Sequence, residues 1–172
     1  MYRAVANGVK TIEHGTLIEE RTMKLMKEKE VYLVATISAG KFVAEQAKKP
    51  GAYPAIIVPK AIAIGAQIQK TFEKAYKFGV PIAFGTDAGV YPHGENAKEF
   101  IYMNEVGMPG AEALQSATYV NAKILEKEDQ LGQIAPGFLA DLVATDENAL
   151  DNINTLTNVT FVMKNGVVYK SE

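Results

Sequence analysis

Cysteine is absent from the 172 residues and histidine occurs only twice. Without cysteine there is no disulfide framework, no thiolate nucleophile and no Cys-type zinc site, so any metal must be held by His, Asp or Glu. An excess of one charge is lacking as well. Lys and Arg number 18 against 20 Asp and Glu, a formal net charge of −2 without any Lys/Arg cluster. That leaves no electrostatic footprint for nucleic acid or an anionic membrane surface. No stretch approaches the ~20 apolar residues of a membrane span. The start, Met1-Tyr2-Arg3-Ala4-Val5-Ala6, lacks the apolar core of a signal peptide. Small-molecule partners and a cytoplasmic location are the expectation. Otherwise, 48% hydrophobic and 22% charged residues make an ordinary globular composition, with no low-complexity segment and no evident linker.

What is present starts with two candidate metal ligands at the ends of apolar strands. His14 closes Thr11-Ile12-Glu13-His14-Gly15 and Asp87 closes Ile82-Ala83-Phe84-Gly85-Thr86-Asp87. An imidazole and a carboxylate, each lifted to a strand's C-terminal end, are how parallel α/β barrels build catalytic metal sites. Around them the chain repeats a unit in which a helix closes on Gly-Val, at 8–9 and 79–80, and leads into a short β-rich run. Glycines 8 and 79 sit where a helix end needs a left-handed residue. A third β-rich run, Glu30 to Thr36, follows a helical stretch from Glu19 to Lys29. Lys60 to Phe78 carries Ala61, Ile64, Gly65, Ile68, Phe72 and Ala75 at helical period. Strand and helix in alternation imply parallel pairing through right-handed crossovers.

Beyond Asp87 the pattern predicts a Gly/Pro loop over 88–94 and a helix near Glu95 to Val106 with Ala97, Phe100, Ile101 and Asn104 on one face. A further helix is expected to begin at Pro109 and run towards Leu125. From about Gly132 the character changes: a turn at Ile134 to Gly137, a strand at Ala140 to Thr145, and a hairpin from Val159 to Lys170 turning at Asn165-Gly166. A full (β/α)₈ barrel takes ~250 residues, roughly 31 per unit. His14 and Asp87 are 87 − 14 = 73 residues apart, about two such units. The fold class is therefore α/β, a partial TIM-like barrel of about three βα units over 1–131, with a small β-strand extension over 132–172. Such an open sheet has two bare edges, so self-association or a missing portion is expected to cover them.

In this order and spacing the motifs resemble the C-terminal part of the metal-dependent amidohydrolase superfamily, in the branch of imidazolonepropionase and the prolidase-like dipeptidases and carboxypeptidases. Gly8 to Thr16 resembles its sixth barrel strand, Val31 to Thr36 the seventh, and Ile82 to Gly89 the eighth. Pro92-His93-Gly94-Glu95-Asn96 and Gly132 to Val143 are also similar. The resemblance implies a hydrolase of amide-like C–N bonds acting on a small amide or dipeptide-like substrate with one or two divalent metals, usually zinc. By the same resemblance the 132–172 extension would be part of a composite β-sandwich. His14 would be a metal ligand, Asp87 a metal ligand and catalytic proton shuttle, and His93 a substrate contact. The chemistry is coherent, since a bound cation acidifies water and a neighbouring carboxylate moves its proton to the leaving amine.

The family's His-x-His pair, its fourth-strand lysine or carboxylate and its fifth-strand histidine have no counterpart here, and two ligands fall short of the three a catalytic zinc takes from protein. Each residue also has a plain structural reading. His14 suits a strand-end histidine bonded to backbone, Asp87 an Asx-turn, His93 an exposed loop residue. Glu13 is expected to face a helix or solvent, and Asp141 to satisfy backbone amides. Tyr91, Tyr102 and Tyr119 read as packing. Three functions follow: the C-terminal portion of a metal-dependent amidohydrolase, a short hydrolase whose oligomer assembles His14, Asp87 and His93, or a non-catalytic half-barrel that binds a partner or a second copy.

Overall fold

Three short strands form the first sheet: β1 (Thr11–Glu13), β2 (Tyr32–Val34) and β3 (Ile82–Ala83), side by side in that order and all parallel. The computed structural model, which describes residues 1–172, aligns Ile12 with Leu33 and Leu33 with Ile82. Side chains alternate across a strand, so this row shares one face, and all three residues are buried in one core. Parallel neighbours need crossovers. α2 (Glu20–Glu28) joins β1 to β2, while α3 (Ile37–Ala47) and α4 (Val58–Phe78) join β2 to β3. Met23 and Met26 of α2, with Ile68, Phe72 and Ala75 of α4, close over the row, and Val5 of α1 (Tyr2–Ala6) joins them. Burying a side chain of the size of Leu33 or Phe72 stabilises by about 1.5–3 kcal/mol before entropy is counted.

The strands are shorter than the β-rich runs of the sequence. Glu30 does not open β2; it is left-handed (φ 52) just past α2. Gly8 and Gly79 are left-handed beyond α1 and α4, as expected. Glu13 is exposed and, being opposite in phase to Ile12, lies on the face away from the helices. With β1 and β3 both at edges, the parallel sheet is open.

α3 is the element the sequence pattern does not announce. Ile37-Ser38-Ala39-Gly40 is poor in long apolar side chains, and the helix is held by its fit against α4. A Cβ on Gly40 would come within 2.8 Å of Ile68 Cγ2, so the two helices meet where there is no side chain to separate them.

After β3 the polypeptide forms α5 (Lys98–Glu105), α6 (Gly110–Ala117) and α7 (Tyr119–Ile124). The buried residues of α5 are Glu99 and Met103, whereas Asn104, grouped by the sequence with Ala97, Phe100 and Ile101 on one face, is exposed. Phe100 of that face packs against the core, but the fully buried positions include a carboxylate that an apolar period does not mark. Nor does one helix run from Pro109 to Leu125. Pro109 lies outside α6 as its N-cap, and the helix breaks at Thr118 (φ −114, ψ −92). At the break, the Ser116 carbonyl accepts the Phe84 N–H at 3.2 Å, and the Asn121 amide donates to the Phe84 carbonyl at 2.9 Å. The two helices thus satisfy backbone groups just beyond β3.

β4 (Leu142–Ala144), β5 (Phe161–Lys164) and β6 (Val167–Ser171) make a separate antiparallel sheet. Asn165 and Gly166 both have positive φ, 47° and 78°, the requirement of a tight hairpin turn. Asp141 has the expected structural role. Its Oδ1 accepts the Asn165 N–H at 2.7 Å and its Oδ2 pairs with Lys164. Lys164 first, then the Asn165 amide, hold this carboxyl below the ordinary carboxylate range. No helix is long and apolar enough to cross a membrane.

Candidate active site at the sheet end

Three residues leave the C-terminal ends of the parallel strands in the left-handed backbone region: His14 after β1 (φ 63), Thr36 after β2 (φ 53) and Asp87 after β3 (φ 53). The left-handed conformation costs roughly 1–2 kcal/mol for a residue with a Cβ, and a β-branched residue there is an outlier. Such strain concentrates at functional sites. Its repetition along one sheet end singles out this end.

The turn after β1 is built around a glycine. His14 N–H extends the ladder by donating to the Val34 carbonyl at 2.8 Å. Gly15 then follows with φ 60°, and a Cβ there would stand 2.5 Å from Leu33 Cδ1. The close approach presents the His14 ring to the end of β2. Its Nδ1 lies 2.6 Å from Thr36 Oγ1, a side-chain contact in place of the backbone bond the sequence suggested.

That contact assigns a tautomer. Thr36 has one hydroxyl proton, which it gives to the Ala35 carbonyl at 2.7 Å. With that proton given to Ala35, the oxygen is left to accept from His14, the arrangement in which the ring proton is on Nδ1 and Nε2 keeps its lone pair. An imidazole fixed through one nitrogen with the other free is the usual condition of a metal-ligating histidine.

Thr36 is 3% exposed and stands at the N-cap of α3, but its side chain makes no capping bond. Glu99 of α5 takes that place. Its Oε1 accepts the Ile37 N–H, and its Oε2 accepts the Ser38 N–H and the Ser38 hydroxyl, all at 2.7 Å. Glu99 is fully buried. Burial pushes its carboxyl above the ordinary value, opposed by the hydrogen bonds from Ser38 and Ile37. Neither Thr36 nor Glu99 stands out in the sequence: Glu99 lies in a stretch of ordinary helical charge.

Asp87 is exposed and its carboxylate makes no hydrogen bond within the chain. The turn after it is closed by backbone alone, Val90 N–H to Asp87 carbonyl at 3.2 Å, rather than by an Asx-turn. His93 is exposed on the loop between β3 and α5. That loop is tied down by Asn96, which accepts the Gly94 N–H at 3.2 Å and donates to Thr86 Oγ1 at 3.2 Å. His14 and Asp87 follow the two outer strands, whose axes are ~10 Å apart at the usual spacing. The donor types suit a divalent metal, but no group of three or more His, Asp or Glu side chains is placed to hold one. One chain therefore falls short of a metal site. The His14, Asp87 and His93 set is not assembled within it.

A cavity of about 430 Å³ lies elsewhere, between α3, α4 and α5. Lys41, Lys48 and Lys98 on its wall are each already paired, with Glu105, Glu45 and Glu95. Tyr91 packs there against Phe42 at 6.2 Å between ring centroids, and the Lys41 ammonium sits 4.0 Å from the Tyr102 ring centroid. Both tyrosines pack, as expected.

A family model described as amidohydrolase family matches residues 1–169. An ochratoxinase of Aspergillus niger is 34% identical, over 97% of this chain and 35% of its own length. Among solved structures, a Xaa-Pro dipeptidase with methionine bound in its active site superposes with a TM-score of 0.95 at 53% identity, covering 98% of this chain and 42% of that one. A prolidase complexed with N-methylphosphonate-L-proline gives a TM-score of 0.87 at 34% identity, over 99% and 42%. The chain thus spans 35% to 42% of the length of these relatives.

Proposed function

The chain belongs to the amidohydrolase family, and from that premise we propose that it supplies the C-terminal part of a prolidase-like, metal-dependent amidohydrolase. The observation that carries this reading is the sheet end where His14, Thr36 and Asp87 are all held left-handed. In this reading the open sheet is the last three βα units of a barrel, and the portion of the relatives that this chain does not span brings the remaining metal ligands. The metal is divalent, zinc by family usage. His14 offers the Nε2 lone pair. Asp87, with a carboxylate free of internal hydrogen bonds, is the proton shuttle that receives a proton from the attacking water and returns it to the departing amine. His93, on the loop braced by Asn96, contacts the substrate. The bound methionine and the proline phosphonate of the two relatives favour a dipeptide-like or N-acylated amino-acid substrate.

A second reading is favoured by the two uncovered edges at β1 and β3: a non-catalytic half-barrel that pairs with a partner or a second copy. One experiment separates them. This chain replaces the matching part of the Xaa-Pro dipeptidase, and hydrolysis of Met-Pro is measured. Turnover that falls about 10²–10⁴-fold on Asp87→Asn supports the first reading. A folded, metal-loaded chimera without turnover supports the second. Elemental analysis of the chain alone, dialysed after zinc loading, should find well under one zinc per chain. One or two, lost on Asp87→Asn, would instead support the short self-sufficient hydrolase.

A further inference from the structure

We propose that Glu99 is a positioning residue for His14: by holding the first two amides of α3 it keeps Thr36 left-handed, so that the Thr36 hydroxyl oxygen accepts a hydrogen bond from the His14 Nδ1–H and Nε2 is left as the lone-pair nitrogen. A helix begins with unpaired N–H groups, and a threonine at the N-cap ordinarily turns its own hydroxyl to them. Thr36 does not, because its hydroxyl is engaged by Ala35 and His14. The amides of Ile37 and Ser38 are instead paired by a carboxylate that reaches them from 62 and 61 residues away.

The substitution is costly for capping alone. A buried carboxylate must give up its hydration, and Glu99 has no exposure at all. What it gains is a third contact, to the Ser38 hydroxyl, and the favourable end of the helix dipole. What it releases is the Thr36 oxygen. Exchange the roles, with Thr36 capping α3, and the hydroxyl would turn from His14 towards the α3 amides. The ring would then lose the acceptor that fixes its tautomer. The purpose assigned to that tautomer rests on the reading of His14 as a metal ligand; the link from Glu99 to the His14 ring does not.

The test is the nitrogen spectrum of the two histidine rings in the full 172-residue chain, recorded at a pH well above imidazole titration and assigned with His93→Gln. In the wild type, Nδ1 of His14 should carry the proton and Nε2 the unprotonated shift. Thr36→Val and Glu99→Gln should both move the proton towards Nε2. Thr36→Ser should restore the wild-type pattern. Met103→Ala, which loosens α5 but leaves the carboxylate in place, should not change it. Should Glu99→Gln fail to fold, Ser38→Ala removes one of its three contacts and should give a smaller shift of the same sign. A wild-type proton on Nε2, an unmoved tautomer in Glu99→Gln or Ser38→Ala, or an equal shift in Met103→Ala would each overturn the proposal. None of these readouts needs metal or turnover, so an inactive chimera would sink the hydrolase reading without touching this one.

Discussion

A Cβ added to Gly65 would stand 2.2 Å from the Ala44 Cβ and 2.8 Å from the Gly40 carbonyl oxygen. The Gly40 oxygen is backbone and the Ala44 Cβ is bonded directly to backbone, so neither helix can yield by turning a side chain. This is where α3 rests on α4, and α3 in turn carries Thr36 at its head.

Gly65→Ala is expected to destabilise the fold by about 1–3 kcal/mol through overpacking, although alanine favours an isolated helix by ~1 kcal/mol over glycine. Urea unfolding decides between them. A more stable variant would mean that the helices part without cost.

Gly15→Ala should also be costly, about 1–3 kcal/mol, since the position is left-handed and a Cβ would meet Leu33 of the core. The same measurement applies. The His14 ring should lose its contact with Thr36 in parallel, visible as a loss of the fixed tautomer.

The pH dependence of Glu99 has a definite sign. Burial raises its carboxyl in the folded chain, so the folded state binds this proton more tightly than the unfolded state. Its contribution is fully present below the unfolded value, ~4.3, and is lost as pH rises through the folded one. The stability of wild type relative to Glu99→Gln should therefore fall as pH rises across that window. A difference that grows with pH would mean the hydrogen bonds from Ser38 and Ile37 outweigh burial.

Asp141 behaves oppositely. Lys164 and the Asn165 amide lower its carboxyl, so its contribution is present above the unfolded value and lost as pH falls through the folded one. Asp141→Asn should speed amide exchange in the β5–β6 hairpin at neutral pH and make no difference in strong acid. Unchanged exchange at neutral pH would remove Asp141 from the account of this turn.

The edges at β1 and β3 are expected to bring copies together at micromolar concentration, as a dimer or larger by light scattering. A compact monomer would mean the edges are tolerated as they stand.

Much of the framework follows from local pattern. Ile12, Leu33 and Ile82 lie in β-rich runs and form the buried row; Gly79 ends α4, and Asn165-Gly166 turns the hairpin. These are legible because period and turn chemistry are properties of neighbours in sequence. His14 could be located at a strand end for the same reason, whereas Asp87, expected to close its strand, stands four residues past the end of β3 at Ala83.

The sequence by itself determined where the three parallel strands lie along the chain and where the hairpin turns, because hydrophobic period and left-handed glycines act over a few residues. Only the tertiary structure decided that α3 is a helix, that Glu99 is buried and that Thr36 holds the His14 ring. Those outcomes depend on groups brought together across 22 to 62 residues. A carboxylate that reads as solvent-facing becomes a core residue once three donors surround it, and no local period encodes where those donors will be.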